Sequence, residues 1–338
     1  MWIISLPCLA LPVENLYVGE VLVVSQDESQ LADGARAAMR QVLIRVSGST
    51  DVLNNSMIDN ALKRPAAYYY QYGYESTDRT LVVDNREVPA RLLKVSFDPS
   101  AISRLLRQGG FPVWGSNRPG VLLWVAVSDG AERRIVTESD PFAGALTRQA
   151  RVRGLPLLFP LMDLEDASKL TSAEVWGLFL DRIDLASTRY SPDVVLAGRV
   201  QHTGGQWSGR WTYRLLDQWK TFENVGYDEE DLVSGVINVL ADQLAQRYAV
   251  DSSRGSLTLR VEGVKTLEDY AHLSAYLESL TPVVDSSVEE VDGNEILFRL
   301  STEGQVEQLR EIIELDDKLV LINAGGPGEP LHYQWTGK

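Results

Sequence analysis

Cysteine is almost absent from this chain, and histidine is scarce. Cys8 stands alone among 338 residues, which excludes an intramolecular disulfide and a cysteine-based metal cluster. The three histidines are His202 at a hairpin end, His272 on a helix and His332 near the C-terminus. No two of them share the i, i+4 spacing of a helical metal site. A G-x-S-x-G turn for a nucleophilic serine is missing, and so is a Walker-type phosphate loop. Gly325-Gly326-Pro327-Gly328 has glycines enough, but no following helix whose N-terminus would hold an anion. No segment reaches the ~20 uninterrupted apolar residues of a membrane span. Positive charge is also short: 32 Lys+Arg face 47 Asp+Glu, for a net charge of −15 and a pI near 4.7. Such a balance repels the phosphates of nucleic acid.

From these absences no catalytic residue, no cofactor site and no metal ligand is assigned, and the chain is expected not to be an enzyme. Carboxylate-only catalysis leaves little trace in a sequence, so Asp163 with Glu165 and Asp166 mark an alternative, a carboxylate-dependent hydrolase.

What is present is ordinary for a folded protein: 44% hydrophobic and 23% charged residues. The length predicts two or three domains. Charge is unevenly spread. Residues 255–338 hold 6 Lys+Arg against 16 Asp+Glu, whereas residues 101–155 hold 8 Arg against 4 acids. Arg104, Arg107, Arg118, Arg133, Arg134, Arg148, Arg151 and Arg153 form that excess. It reads as a solvated surface, or as a cationic patch for an anionic partner or for the acidic C-terminal part of the same chain.

Met1–Ala10, MWIISLPCLA, resembles the tail of a secretory signal peptide, with Cys8 and Ala10 at the −3 and −1 positions of a cleavage site. The chain is therefore expected in the periplasm, its signal truncated by the assigned start.

Three blocks of mixed α+β character follow, over 11–115, 118–250 and 255–323. In the first, Leu16–Ser25 reads as a strand and Glu28–Ser47 as a helix with Leu31, Ala35, Ala38, Val42 and Val46 inward. Tyr68–Glu75 and Glu87–Phe97 read as strands, and Asp98-Pro99 opens a helix. In the second, Val121–Val127 is a buried strand, and Asp140-Pro141 and Thr171–Glu174 open helices. The latter helix is expected to bury Trp176, Phe179, Ile183, Ala186 and Tyr190. A hairpin around Gly204-Gly205 sets Trp207, Trp211, Tyr213 and Leu215 on one face, with Ser208, Arg210, Thr212 and Arg214 on the other. The third block has the order βαββαβ of a ferredoxin-like unit. Residues 324–338, rich in Gly and Pro, read as a flexible tail.

Aromatic residues supply the candidate binding surface. In an uninterrupted strand Tyr68, Tyr70, Tyr72 and Tyr74 share one face, apolar with hydrogen-bonding tips suited to glycans and peptides. Trp207 and Trp211 on the hairpin, and Trp114 with Arg118 in the segment joining the first two blocks, complete the set.

The motifs Arg45-Val46-Ser47-Gly48, the tyrosine strand, Val95-Ser96-Phe97-Asp98, and Pro112-Val113-Trp114-Gly115 through Arg118-Pro119 resemble the proteobacterial domain-of-unknown-function family 2066. That resemblance implies an exported protein without assigned activity and brings no catalytic residues. The first two blocks are also loosely similar in fold to the N-terminal domain of the translocation protein TolB. The expected function is a non-enzymatic interaction protein of the Gram-negative envelope, docking on another envelope protein. The alternative is a binding module for glycan or another envelope small molecule.

Overall fold

A computed structural model describes residues 13, 15–130, 133–215, 218–250, 254–326 and 329–337. Met1–Ala10, the expected export segment, lies outside them. The fold is mixed α/β, with three sheets and ten α-helices among the described residues.

The first block contains β1 (Val18–Val23), α1 (Glu28–Ser47), α2 (Ser56–Leu62), β2 (Tyr69–Val83), β3 (Arg86–Phe97) and α3 (Pro99–Gln108). Asp27 caps α1 by accepting from the Gln30 N–H, and Gly48, left-handed at φ 73°, ends it. The apolar stripe of α1 buries Ala35, Ala38, Met39, Val42, Leu43 and Val46 against a sheet of order β1-β3-β2. Because β1 pairs only with Arg91–Ser96, the far ends of β2 and β3 form a two-stranded ribbon. Asp84-Asn85, both at positive φ, close it, and Val82 is 71% exposed on it.

The tyrosine strand departs from simple alternation. Tyr69 pairs with Phe97 but Gln71 with Ser96, so a bulge at Tyr70 shifts the register. The rings of Tyr69, Tyr72 and Tyr74 consequently meet edge to face, and Tyr69 also packs on Phe97. Tyr70 is separated from them.

The second block holds β4 (Val121–Ser128), β5 (Arg133–Ile135), α4 (Pro141–Arg153), β6 (Leu157–Leu158), α5 (Leu164–Lys169), α6 (Ser172–Trp176), α7 (Leu180–Ser187), β7 (Val194–Thr203), β8 (Gln206–Leu215), β9 (Gln218–Gly226) and α8 (Glu229–Tyr248). Its sheet runs β5-β4-β7-β8-β9, with β6 beside β4. Strand β4 lies parallel to β7 and is buried at every residue, as its continuous apolar sequence requires. Helices α4 and α8 cover one face. The helix expected to run on from Thr171 breaks at Gly177-Leu178, where Leu178 has φ 52°, and Phe179 is left 56% exposed. The resulting pieces α6 and α7, with α5, cover only part of the other face.

The third block contains β10 (Arg254–Glu262), α9 (Leu267–Ser279), β11 (Val283–Asp292), β12 (Glu295–Glu303), α10 (Val306–Ile313), β13 (Leu319–Asn323) and β14 (Leu331–Trp335). The four-stranded ferredoxin-like sheet is replaced by a five-stranded one of order β11-β12-β10-β14-β13. Part of the segment expected to be a flexible tail is thus a strand inside the sheet, parallel to β10 and antiparallel to β13. The cause is plain in Leu331, Tyr333 and Trp335: their alternation gives β14 a buried apolar side, which the nearby glycines and prolines obscured.

The apolar interior crosses the junction at 250–255. One cluster contains Leu123, Leu240 and Val250 together with Leu259, Leu309 and Tyr333. The first block has its own cluster around Val42, Leu93 and Phe97.

Candidate functional site

The aromatic residues singled out in the sequence fall in four environments. Trp211 is fully buried, lying over Gly198, its cross-strand partner, and Gly209. Trp207 is half-buried, stacked on His202 with ring centroids 4.6 Å apart. Both belong to the interior face of β8 and offer no open surface. Tyr68 and Tyr74 pack on the first block's core, and Tyr72 is edge-on to Tyr74. Tyr70, 69% exposed, instead lines a cleft of about 960 Å³ with Tyr17, Arg104 and Arg107, between the first and third blocks. The expected four-tyrosine face does not form, because the bulge reverses side-chain parity within the run.

Trp114 and Arg118 are buried together. The Arg118 guanidinium stacks 4.0 Å from the Trp114 ring centroid and donates to five carbonyls. These are Gly115 at 2.8 Å, Trp114 at 2.8 Å, Arg45 at 2.8 Å, Arg153 at 2.9 Å and Gly154 at 3.1 Å. Two acceptors terminate α1 and α4, whose C-terminal carbonyls carry partial negative charge. Burial, with Arg45 and Arg153 nearby, pushes the Arg118 pKa well below the ordinary arginine value. This is a packed junction rather than a docking surface.

The local arginine excess is likewise dispersed into contacts within the chain. Arg107 pairs with Glu303 at 2.6 Å, Arg134 with Asp140 at 2.6 Å, and Arg153 with Asp242 at 2.6 Å. Arg148 pairs with Glu230.

The acids of the hydrolase alternative are close together but engaged. Asp163 caps α5 and receives Arg189 at 2.8 Å; the hydrogen bond from Arg189 leads in lowering its pKa to about 2. Asp166 is fully buried, accepting from Tyr190, Arg189 and the Met162 N–H. Glu165 is tied to Lys169 at 2.6 Å. A carboxyl held near pKa 2 is a poor proton donor at neutral pH. On the open face of the third sheet, Glu262, Glu295 and His332 bring three potential metal ligands within 4.8 Å of one another. Arg260 already pairs with Glu295, so one of the three candidate ligands is engaged.

A second opening faces away from Trp211. On that side of the second sheet, side chains alternate as Arg199 and Gln201 on β7, Ser208 and Arg210 on β8, and Glu223 and Val225 on β9. The short helices leave this end bare, creating a crevice of about 1020 Å³. It lies on the sheet face, over the carboxyl-terminal halves of the parallel strands β4 and β7. Arg133 of β5 stacks 4.6 Å from the Trp176 ring of α6 on one wall. Arg210 lies 3.5 Å from Glu223 and directly opposite Arg199. Asn224 accepts from the Trp211 indole at 2.7 Å and donates to the Leu232 carbonyl at 2.8 Å.

The alternation expected for β8 holds, and the face carrying Trp207 and Trp211 is the interior one. Counting outward from Gly204-Gly205 would have placed Arg199 beside Arg210; the arrival of Arg133 and Trp176 depends on tertiary structure.

A family model for a domain of unknown function (DUF8605) matches residues 10–115. The resemblance to family 2066 is corrected accordingly, and nothing supports the likeness to the TolB N-terminal domain. The quoted motifs serve local packing: Arg45, Trp114 and Arg118 fasten a block junction, a demand not peculiar to one family. No curated protein matches the chain. A solved structure titled "Crystal structure of uncharacterized protein" aligns over 38% of this chain and 88% of its own, at 14% identity and a TM-score of 0.16. A superposition that poor assigns neither fold nor function.

Proposed function

We propose that the chain is a non-enzymatic interaction protein of the Gram-negative envelope, using the crevice on its second sheet to hold a glycan or another small envelope molecule. The crevice carries this reading. It is large enough for such a ligand, open on a sheet face, and walled by arginine, serine and amide groups. Among its described lining residues Glu223 is the carboxylate, and Arg210 pairs with it. That donor-rich wall suits holding a polar molecule better than a two-carboxylate hydrolysis. Placement outside the cytoplasm rests on the signal-like Met1–Ala10. Among the described residues no helix is long and apolar enough to cross a membrane.

The test is a binding screen of soluble envelope glycans and metabolites against the full chain and Ser208→Trp, which places an indole in the crevice. At least one ligand should bind the native chain and lose tenfold or more in affinity to the variant. Ligands that bind both proteins equally would remove the crevice as the site.

A further inference from the structure

We propose that the crevice is an oxyanion site, taking a ligand through phosphate or carboxylate groups. The inference rests on the crevice being the binding site and goes on to fix the ligand's charge. Arg199 and Arg210 are direct cross-strand neighbours. Like charges so placed destabilise a sheet pair, so an empty crevice is electrostatically unfavourable. Arg210 has Glu223 for partial compensation, whereas Arg199, half-buried, has no ion-pair partner among the described residues. Arg133 contributes a third guanidinium, oriented by its stack on Trp176. Among the described lining residues three arginines therefore stand against Glu223, in a protein whose overall charge is −15.

The other arginines with little exposure find carboxylates or buried carbonyls, as Arg118 and Arg153 do, and Arg107, Arg134 and Arg148 are paired with acids. Concentrating uncompensated guanidinium groups in a concave opening is the arrangement that recognises oxyanions, because each planar fork can donate two parallel hydrogen bonds to one phosphate or carboxylate. The acidic remainder of the surface repels long polyanions such as nucleic acid, favouring a compact ligand that fits within the opening.

Isothermal titration of the full chain with inorganic pyrophosphate, with citrate and with an uncharged trisaccharide tests this. Pyrophosphate, citrate or both should bind, and the two arms distinguish phosphate from carboxylate chemistry. Arg199→Gln and Arg210→Gln should each weaken that binding about tenfold, and the double variant should abolish it. The double variant should melt at or above the native temperature in anion-free buffer, since repulsion is relieved; a lower midpoint would contradict the charge argument. Anion binding that survives in the double variant overturns the proposal. Should only the trisaccharide bind, and Ser208→Trp block it, the oxyanion inference fails while the crevice stands. If no compound in this titration or in the wider screen is sensitive to Ser208→Trp, both fail.

Discussion

A guanidinium with no carboxylate beside it occupies the interior at Arg118, held by carbonyl oxygens alone. Nothing in the identity of that arginine announces burial. Its acceptors lie up to 73 residues from it in the chain, and only the convergence of two helix ends brings them together. Asp193 shows the opposite imbalance. Burial pushes its pKa up to about 6, against the pull of the Gly120 N–H at 2.7 Å. The native state therefore binds a proton more tightly than the unfolded chain does. The contribution of Asp193 to stability should be greatest below the ordinary carboxyl range near pH 4, fall as pH rises toward 6, and stay level above it. Asp193→Asn keeps an acceptor for Gly120 and removes the ionisable group. Above pH 6 it should be more stable than the native protein by roughly 2 kcal/mol, with the slope between pH 4 and 6 reduced. Urea midpoints measured from pH 4 to 8 would show this; parallel curves for the two proteins would refute it.

Elements with strong local signals were legible from the sequence. The helix start at Asp140-Pro141, the capping box at Thr171 and the Gly204-Gly205 turn all act within a few residues. Elements shaped by long-range pairing were not. The bulge at Tyr70 depends on how β2 meets β3, and β14 depends on a slot between β10 and β13 that no local pattern reveals. Glycine and proline near Pro330 argued for a tail, while the alternation through Trp335 argued for a strand, and packing decided in favour of the strand. Trp335 is buried and its ring lies 6.3 Å from that of Tyr276. Trp335→Ala should then cost about 3 kcal/mol in urea unfolding followed by far-UV circular dichroism. A loss below about 1 kcal/mol would mean that β14 is not packed as described.

Taken whole, the chain couples its blocks through shared interior more than through its surface charges. Val113, near the end of the first block, exchanges backbone hydrogen bonds of 2.8 and 2.9 Å with Val250 at the end of the second. The second and third blocks share one apolar cluster. A fragment spanning residues 118–250 would expose Tyr248, Val250 and neighbouring apolar groups that the rest of the chain covers. It is expected to bind a hydrophobic dye and aggregate at concentrations where 118–338 stays monodisperse by gel filtration. A clean, dye-silent fragment would show that the shared interior is dispensable. The crevice lies on the outer side of this assembly, yet one wall is anchored from beneath: the Asn224 amide is clasped between the Trp211 indole and the first turn of α8. That clasp fixes the backbone of β9, from which Glu223 and Val225 face the crevice, before a guest arrives. On that wall the molecule has met the ordering cost of recognition during folding, leaving less to be lost at the encounter itself.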